Sequence, residues 1–84
     1  MQLTIEKNHK LIKTVEHPEL ERLFLEVGKE LQAVLKGLAY EGIKHEIELY
    51  NTYDELERKL SIFNIVHCAT IETELEKFEI FIKR

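Results

Sequence analysis

The chain has 84 residues, of which 44% are hydrophobic and 33% are charged, and its formal net charge at pH 7 is −4. This balance is typical of one globular domain over residues 1–84 and excludes the disordered class of protein. The acidic charge argues against a nucleic-acid partner, which would need lysines and arginines to neutralise phosphates, and the single cysteine, Cys68, excludes a disulfide scaffold.

No apolar run approaches the roughly 20 residues that a membrane-spanning helix needs. The first residues also lack the basic segment and the following apolar stretch of a secretion signal. We therefore expect a soluble cytoplasmic protein with no membrane partner.

The first 15 residues predict a β-hairpin. Leu3 and Ile5 alternate with polar residues, and residues 10–15 are rich in β-branched types. Asn8 and His9 lie between these two segments, and asparagine tolerates the positive φ of a tight turn. A two-residue turn here would place Ile5 opposite Ile12.

A helix is predicted over residues 18–41. Pro18 suits the first helical position, and Gly42 suits the residue that follows the helix. Between them, apolar residues recur at spacings of four and three, at positions 20, 24, 27, 31, 34 and 38. Gly28 and Gly37 fall inside this helix, where we expect close packing against a sheet.

The second half of the chain alternates strand and helix patterns. Residues 43–50 alternate as a strand. Thr52 and Glu55 then form a capping box before a helix over residues 53–63, whose apolar stripe ends at Phe63. Residues 65–72 and 77–83 read as two strands joined by an acidic turn at 73–76.

These elements follow one another in the order ββαβαββ. The pattern predicts an α+β fold, a two-layer sandwich in which two helices cover one face of a mostly antiparallel sheet of about five strands. We expect the other sheet face to be mostly polar.

Two histidines are the candidate metal ligands. His45 and His67 each lie among isoleucines and leucines of a predicted strand, and two imidazoles with a carboxylate can bind a transition metal. No third ligand stands at a defined spacing, so no metal site and no cofactor is predicted. His67 and Cys68 are neighbours on a strand and point to opposite faces, which excludes a catalytic dyad between them.

Some apolar residues lie outside the predicted core and are candidates for a binding surface. Phe81 alternates with the core residues of the last strand, and the pattern places Val66 and Cys68 with it on the outer sheet face. Leu25 lies off the main helix stripe, and Glu79 is a nearby acid that could steer a partner.

Contiguous apolar surface marks interaction sites. The sequence therefore favours a protein-interaction module (an adaptor, regulator or inhibitor that acts by binding), with a homodimer or another protein as its partner. Two alternatives stay open. One is a ligand- or metal-binding domain that uses His45 and His67, and the other is a small enzyme with its active site at a dimer interface. No catalytic residue is predicted, so a binding function is favoured over an enzyme.

Overall fold

The computed structural model describes residues 1–37 and 53–84 in full and residues 44–46 as backbone. The described strands are β1 (Gln2–Lys7), β2 (Lys10–Glu16), β3 (Lys44–Glu46), β4 (Ile65–Glu72) and β5 (Lys77–Lys83). The helices are α1 (Leu20–Gly37) and α2 (Tyr53–Ile62). Four predictions lie outside the described residues: the helix beyond residue 37, the Gly42 cap, the outer parts of the strand at 43–50, and the Thr52 half of the capping box.

The α+β prediction is confirmed by an antiparallel sheet and two helices. In the described ranges the strands lie in the order β2-β1-β5-β4-β3, and each pair is antiparallel. The first and last strands therefore lie side by side in the middle of the sheet. Leu3 pairs with Ile82 and Ile5 pairs with Ile80, and all four side chains are at most 2% exposed.

Both helices pack on the face of the sheet that carries these residues. Leu23 and Val27 of α1 and Leu56 and Leu60 of α2 belong to the same buried cluster as Leu3. Phe24 meets Tyr53 edge to face, with ring centroids 6.4 Å apart, and this contact joins the two helices. Burial of aliphatic side chains is the main source of stability in so small a chain, at about 25 cal/mol per Å² of apolar surface.

The first hairpin has the predicted two-residue turn. Asn8 and His9 have φ values of 52° and 67°, which are typical of the turn that matches the twist of two strands. Asn8 also holds the neighbouring strand, because its N–H donates to the Lys77 carbonyl and its Oδ1 accepts from the Lys77 N–H.

The predicted register of this hairpin is wrong. Ile5 pairs with Lys13 rather than with Ile12, because a bulge displaces the pairing between Ile5 and Glu6. An extra residue in one strand of a pair shifts every partner on one side of it. Ile12 is consequently 53% exposed, whereas Ile5 lies in the core.

α1 begins two residues later than predicted. The Glu19 N–H donates to His17 Nδ1 at 3.0 Å, so the histidine satisfies one of the amides that a helix start leaves without a partner. Pro18 lies between them and precedes the first helical residue, Leu20. The main apolar stripe of the helix is confirmed at positions 20, 27 and 31, which are buried, and Phe24 packs against the core.

The two interior glycines are not sites of close packing. A Cβ atom built at Gly28 or at Gly37 would have no other atom within 4 Å, apart from chain neighbours and the local helix backbone. Gly28 is exposed in the middle of α1, so the prediction of close packing against the sheet is wrong there. Gly28 therefore makes the helix less stable than alanine would, and no closer packing compensates for this loss.

We therefore expect Gly28→Ala to raise the free energy of unfolding by about 1 kcal/mol, because alanine loses less backbone entropy in a helix and nothing obstructs its methyl group. Urea denaturation would measure the change. Gly28→Val serves as the matched control, with a smaller gain because of its restricted side chain. A loss of stability in the alanine variant would show that the space beside Gly28 is occupied.

A part-buried ion pair joins β2 to α1. Glu30 is only 8% exposed, and its carboxylate accepts a hydrogen bond from the Lys13 ammonium group. The hydrogen bond and the charge of Glu30 raise the pKa of Lys13 above its ordinary value. Without the lysine, the carboxylate would be buried with no compensating charge from that strand.

We expect Lys13→Met to lower the melting temperature at about pH 7. Because the folded-state pKa of Lys13 is raised, its stabilisation is fully present below the unfolded pKa of about 10.4 and is lost as the pH rises through the folded value. The difference in melting temperature between wild type and variant should therefore stay constant from about pH 7 to 9 and shrink only in stronger alkali. Lys10→Met is the control on the same strand, and an equal loss there would contradict a specific role for the Lys13–Glu30 pair.

Candidate functional site

The sheet face opposite the helices is the candidate site, and we call it the open face. Alternation along β5 places Phe81 there, since its neighbours Ile80 and Ile82 are in the core. Cross-strand partners share a face, so the register adds residues from β1 and β4. The open face includes Thr4, Glu6, Ile65, His67, Thr70, Glu79, Phe81 and Lys83.

Phe81 is the aromatic centre of this face, as predicted. It pairs with Thr4 on one side and with His67 on the other. The His67 and Phe81 rings have centroids 5.0 Å apart and are tilted by 50°. Phe81 is part-buried between these neighbours.

A polar cluster lies beside Phe81. Glu79 is 15% exposed at its side chain and stands between two imidazoles, with Oε2 3.5 Å from His67 Nε2 and Oε1 3.6 Å from His9 Nδ1. The Thr70 hydroxyl is 2.8 Å from the same His67 nitrogen. Both distances to Glu79 exceed a normal hydrogen bond, so Thr70 is the close partner of His67.

This cluster lacks the geometry of a nucleophile relay. In a relay the base uses one ring nitrogen for the nucleophile and the other for the orienting acid. Here Thr70 and Glu79 approach the same nitrogen, Nε2 of His67. The arrangement orients the imidazole against Phe81 and does not activate the threonine.

Val66 and Cys68 are not on the open face, and the prediction that placed them beside Phe81 is wrong. Val66 pairs with Ile82, and both are in the core at 4% and 0% exposure. The pairing then shifts between His67 and Ala69, which is a bulge at Cys68. Cys68 is a buried thiol whose Sγ donates to the Val66 carbonyl.

The two candidate metal ligands have different partners in the sheet. His67 pairs with Phe81 on the open face, whereas the His45 backbone pairs with Ile71. The alternation placed His67 among the isoleucines of its strand, but the extra residue at Cys68 interrupts that alternation and His67 lies on the other face. Within the described residues, no group of three or more histidine, cysteine or acidic side chains is arranged to hold a metal ion.

Leu25 is 62% exposed on α1, as its position off the helix stripe predicted. It belongs to the helix layer, however, and borders a small cavity between α1 and the edge strand β2. Leu25 and Phe81 therefore lie on opposite sides of the protein and cannot form one surface.

Three exposed apolar residues lie where α2 ends and β4 begins, and the sequence interpretation missed them as surface. Ile62 is 68% exposed, Phe63 is 56% exposed and Ile65 is 47% exposed. Phe63 was expected to continue the α2 stripe, but it lies one residue beyond the end of the helix at Ile62. No periodic signal marks Phe63 as exposed, because its spacing from Leu60 continues the apolar stripe of the helix.

Ile65 joins this end to Phe81. Ile65 pairs with Lys83, two residues beyond Phe81 on the same face of β5, so the isoleucine and the phenylalanine are diagonal neighbours. Ile62 and Phe63 precede Ile65 in the chain, at the turn between α2 and β4. We call these four apolar residues together the apolar ridge: Ile62, Phe63, Ile65 and Phe81.

A cavity of about 490 Å³ lies between the first turns of α1 and α2. Tyr53 lines this cavity, and a hydrogen bond to Glu57 raises the pKa of its phenol. The phenol therefore stays protonated at neutral pH, which is the opposite of what an activated nucleophile needs. The cavity is bordered by the apolar residues Met1, Pro18, Leu20 and Leu60 and by the charged residues Glu19, Glu21, Glu57 and Arg84.

Thr4 carries an unsatisfied hydroxyl next to Phe81. The residue is 3% exposed, and its Oγ1 is buried without a hydrogen-bond partner. A buried polar group that makes no hydrogen bond costs about 1–3 kcal/mol. The position would accept an apolar side chain of the same shape.

We expect Thr4→Val to raise the free energy of unfolding by about 1 kcal/mol, because it removes the unsatisfied hydroxyl and keeps the β-branched shape. Chemical denaturation would measure the change. Thr14→Val, at the exposed partner position on β2, is the matched control and should be close to neutral. Destabilisation by Thr4→Val would show that the hydroxyl has a partner in solution.

No family model, no curated protein and no solved structure matches this chain. Among the described helices, neither combines the length and the apolar character needed to cross a membrane.

Proposed function

We propose that this chain is a small protein-interaction module that acts by binding, and that its partner is a second copy of itself. The apolar ridge on the open face would carry the contact. In this proposal the protein works in the cytoplasm, with neither nucleic acid nor a membrane as its partner.

The observation that supports the proposal is the contrast between the two faces of the sheet. One face is covered by α1 and α2 and holds the buried cluster. On the other face, no helix among the described elements covers Phe81, and the ridge adds three side chains that are about half exposed or more. Apolar surface that is contiguous and rimmed by polar residues is the usual mark of a protein interface.

The residues assigned to the contact change accordingly. Phe81 and Glu79 remain in it, since both lie on the open face. Val66 is no longer assigned to the contact because its side chain is in the core. Leu25 is no longer assigned to the contact because it lies on α1. Ile65 takes their place on the open face, and we add Ile62 and Phe63 from the turn between α2 and β4.

A sheet with helices on one face can also dimerise through its other face. Two such faces can pack together about 10 Å apart, with their strands within about 30° of each other. The contact would remove Phe81 and Ile65 from water, and aromatic residues near the centre of an interface carry much of its binding energy.

We expect the wild-type chain to have the mass of a dimer when light scattering is measured on a sizing column over about a hundredfold range of concentration. Phe81→Glu should convert it to a monomer, because the substitution places a charge at the centre of the buried contact. Leu25→Glu is the matched control: it adds the same charge at an exposed apolar position on the helix layer and should leave the dimer intact.

Far-ultraviolet circular dichroism of both variants would show that they remain folded. A wild-type chain that stays monomeric over the whole concentration range would contradict the proposal. Equal loss of the dimer in the Phe81 and Leu25 variants would also contradict it, since the contact would then not lie on the open face.

A further inference from the structure

The open face of β5 has opposite charges at equal distances from Phe81. Glu79 lies two residues before Phe81 and Lys83 lies two residues after it, and alternation puts all three on one face. The rise of about 3.3 Å per residue sets the two charges roughly 13 Å apart along the strand. They are therefore too far apart to pair within one chain.

The neighbouring strands strengthen the negative end. Glu6 of β1 pairs directly with Glu79, so two carboxylates stand side by side on the open face. Like charges in a directly opposed pair destabilise a sheet. Two histidines, His9 and His67, face Glu79 beyond normal hydrogen-bond distance. Lys77 lies two residues before Glu79 on the same face of β5, and the two make no ion pair with each other.

At the other end of the face, Lys83 pairs with Gln2 on β1 and with Ile65 on β4, and Gln2 pairs in turn with Glu16 of β2. Among the described residues, Lys83 has no ion-pair partner. Along β5 the open face therefore carries Lys77, Glu79, Phe81 and Lys83 in that order, and Glu79 and Lys83 stand on either side of the phenylalanine.

We infer that two copies pack open face to open face about a two-fold axis that passes beside Phe81, so that Lys83 of each copy meets the Glu6–Glu79 pair of the other. This inference rests on the proposed function and names the geometry of its contact. A two-fold axis that lies between the two sheets and perpendicular to the strands reverses the strand direction in the second copy, and this orientation brings Lys83 of each copy over Glu79 of the other. A parallel arrangement would place lysine on lysine and carboxylate on carboxylate.

The apolar ridge is compatible with this arrangement. Ile65 lies beside Lys83 and diagonal to Phe81, so it borders the axis, while Phe63 lies at the end of the sheet. Each lysine would approach the partner's carboxylates beside apolar side chains that exclude water, where a charge pair is stronger than at an exposed site. The electrostatic term fixes the orientation, and the apolar contact supplies most of the affinity.

Charge reversal tests this geometry. We expect Lys83→Glu alone and Glu79→Lys alone each to raise the dimer dissociation constant by about tenfold or more, because each sets like charges against each other twice in a symmetric contact. The double variant, Lys83→Glu with Glu79→Lys, should bind more tightly than either single variant, because the new glutamate then meets the new lysine, although Glu6 keeps its charge and recovery is partial. Lys29→Glu, on the exposed surface of α1, is the control for charge reversal outside the contact.

Light scattering or sedimentation would measure the dissociation constants, and thermal denaturation would show that each variant is folded. If Phe81→Glu abolishes the dimer while the charge variants leave it unchanged, the two-fold arrangement is wrong and the proposed function stands. If both single variants weaken the dimer and the double variant binds no more tightly than either, the two charges do not meet and the arrangement is again wrong. A monomeric wild-type chain would overturn the inference together with the proposed function.

Discussion

The pairing of the first and last strands is the constraint on which the rest of the structure depends. β1 and β5 occupy the middle of the sheet, and their inward residues Leu3, Ile5, Ile80 and Ile82 form the floor on which both helices lie. This pairing joins residues close to the two ends of the chain, so its loop-closure entropy is offset only when the core forms around it. A second tie, from Asn8 to the Lys77 backbone, holds the two strands together at the hairpin turn.

The bulge at Cys68 has a large effect on the surface. Upstream of it, His67 stands on the open face, and downstream of it Ala69 and Ile71 are in the core. One extra residue therefore exchanges the faces of everything that follows in β4. The Cys68 thiol at the bulge is buried. His67, just before the bulge, contacts Phe81 and lies near Glu79, whereas the His45 backbone pairs with Ile71, after the bulge. The chemistry of the open face, an oriented imidazole next to an aromatic ring, is a consequence of this local irregularity.

Both described helices lie on one face of the sheet, which gives the described part of the chain two unlike sides. The side with the helices holds the aliphatic core, with Phe24, Tyr53 and Phe78 packed against it, and the Lys13–Glu30 pair joins its edge strand to α1. The open side is polar at its margins and carries Phe81 at its centre. A small chain has little interior to spare, and self-association is one way for it to bury more apolar surface. The positions of Glu79 and Lys83 on either side of Phe81 would then decide how the two copies are oriented.

The sequence by itself determined the elements with strong periodicity. The α1 stripe, the Asn8–His9 turn, the two C-terminal strands and the outward position of Phe81 all follow from local spacing, because a period of 3.6 or 2 is set within a few residues. Only the tertiary structure decided which strands are neighbours and where the pairing shifts. Val66, His67 and Ile12 were assigned to the wrong surroundings because a bulge leaves no period of its own in the sequence. The exposure of Phe63 was decided in the same way, by the residue at which α2 ends and the chain turns into β4.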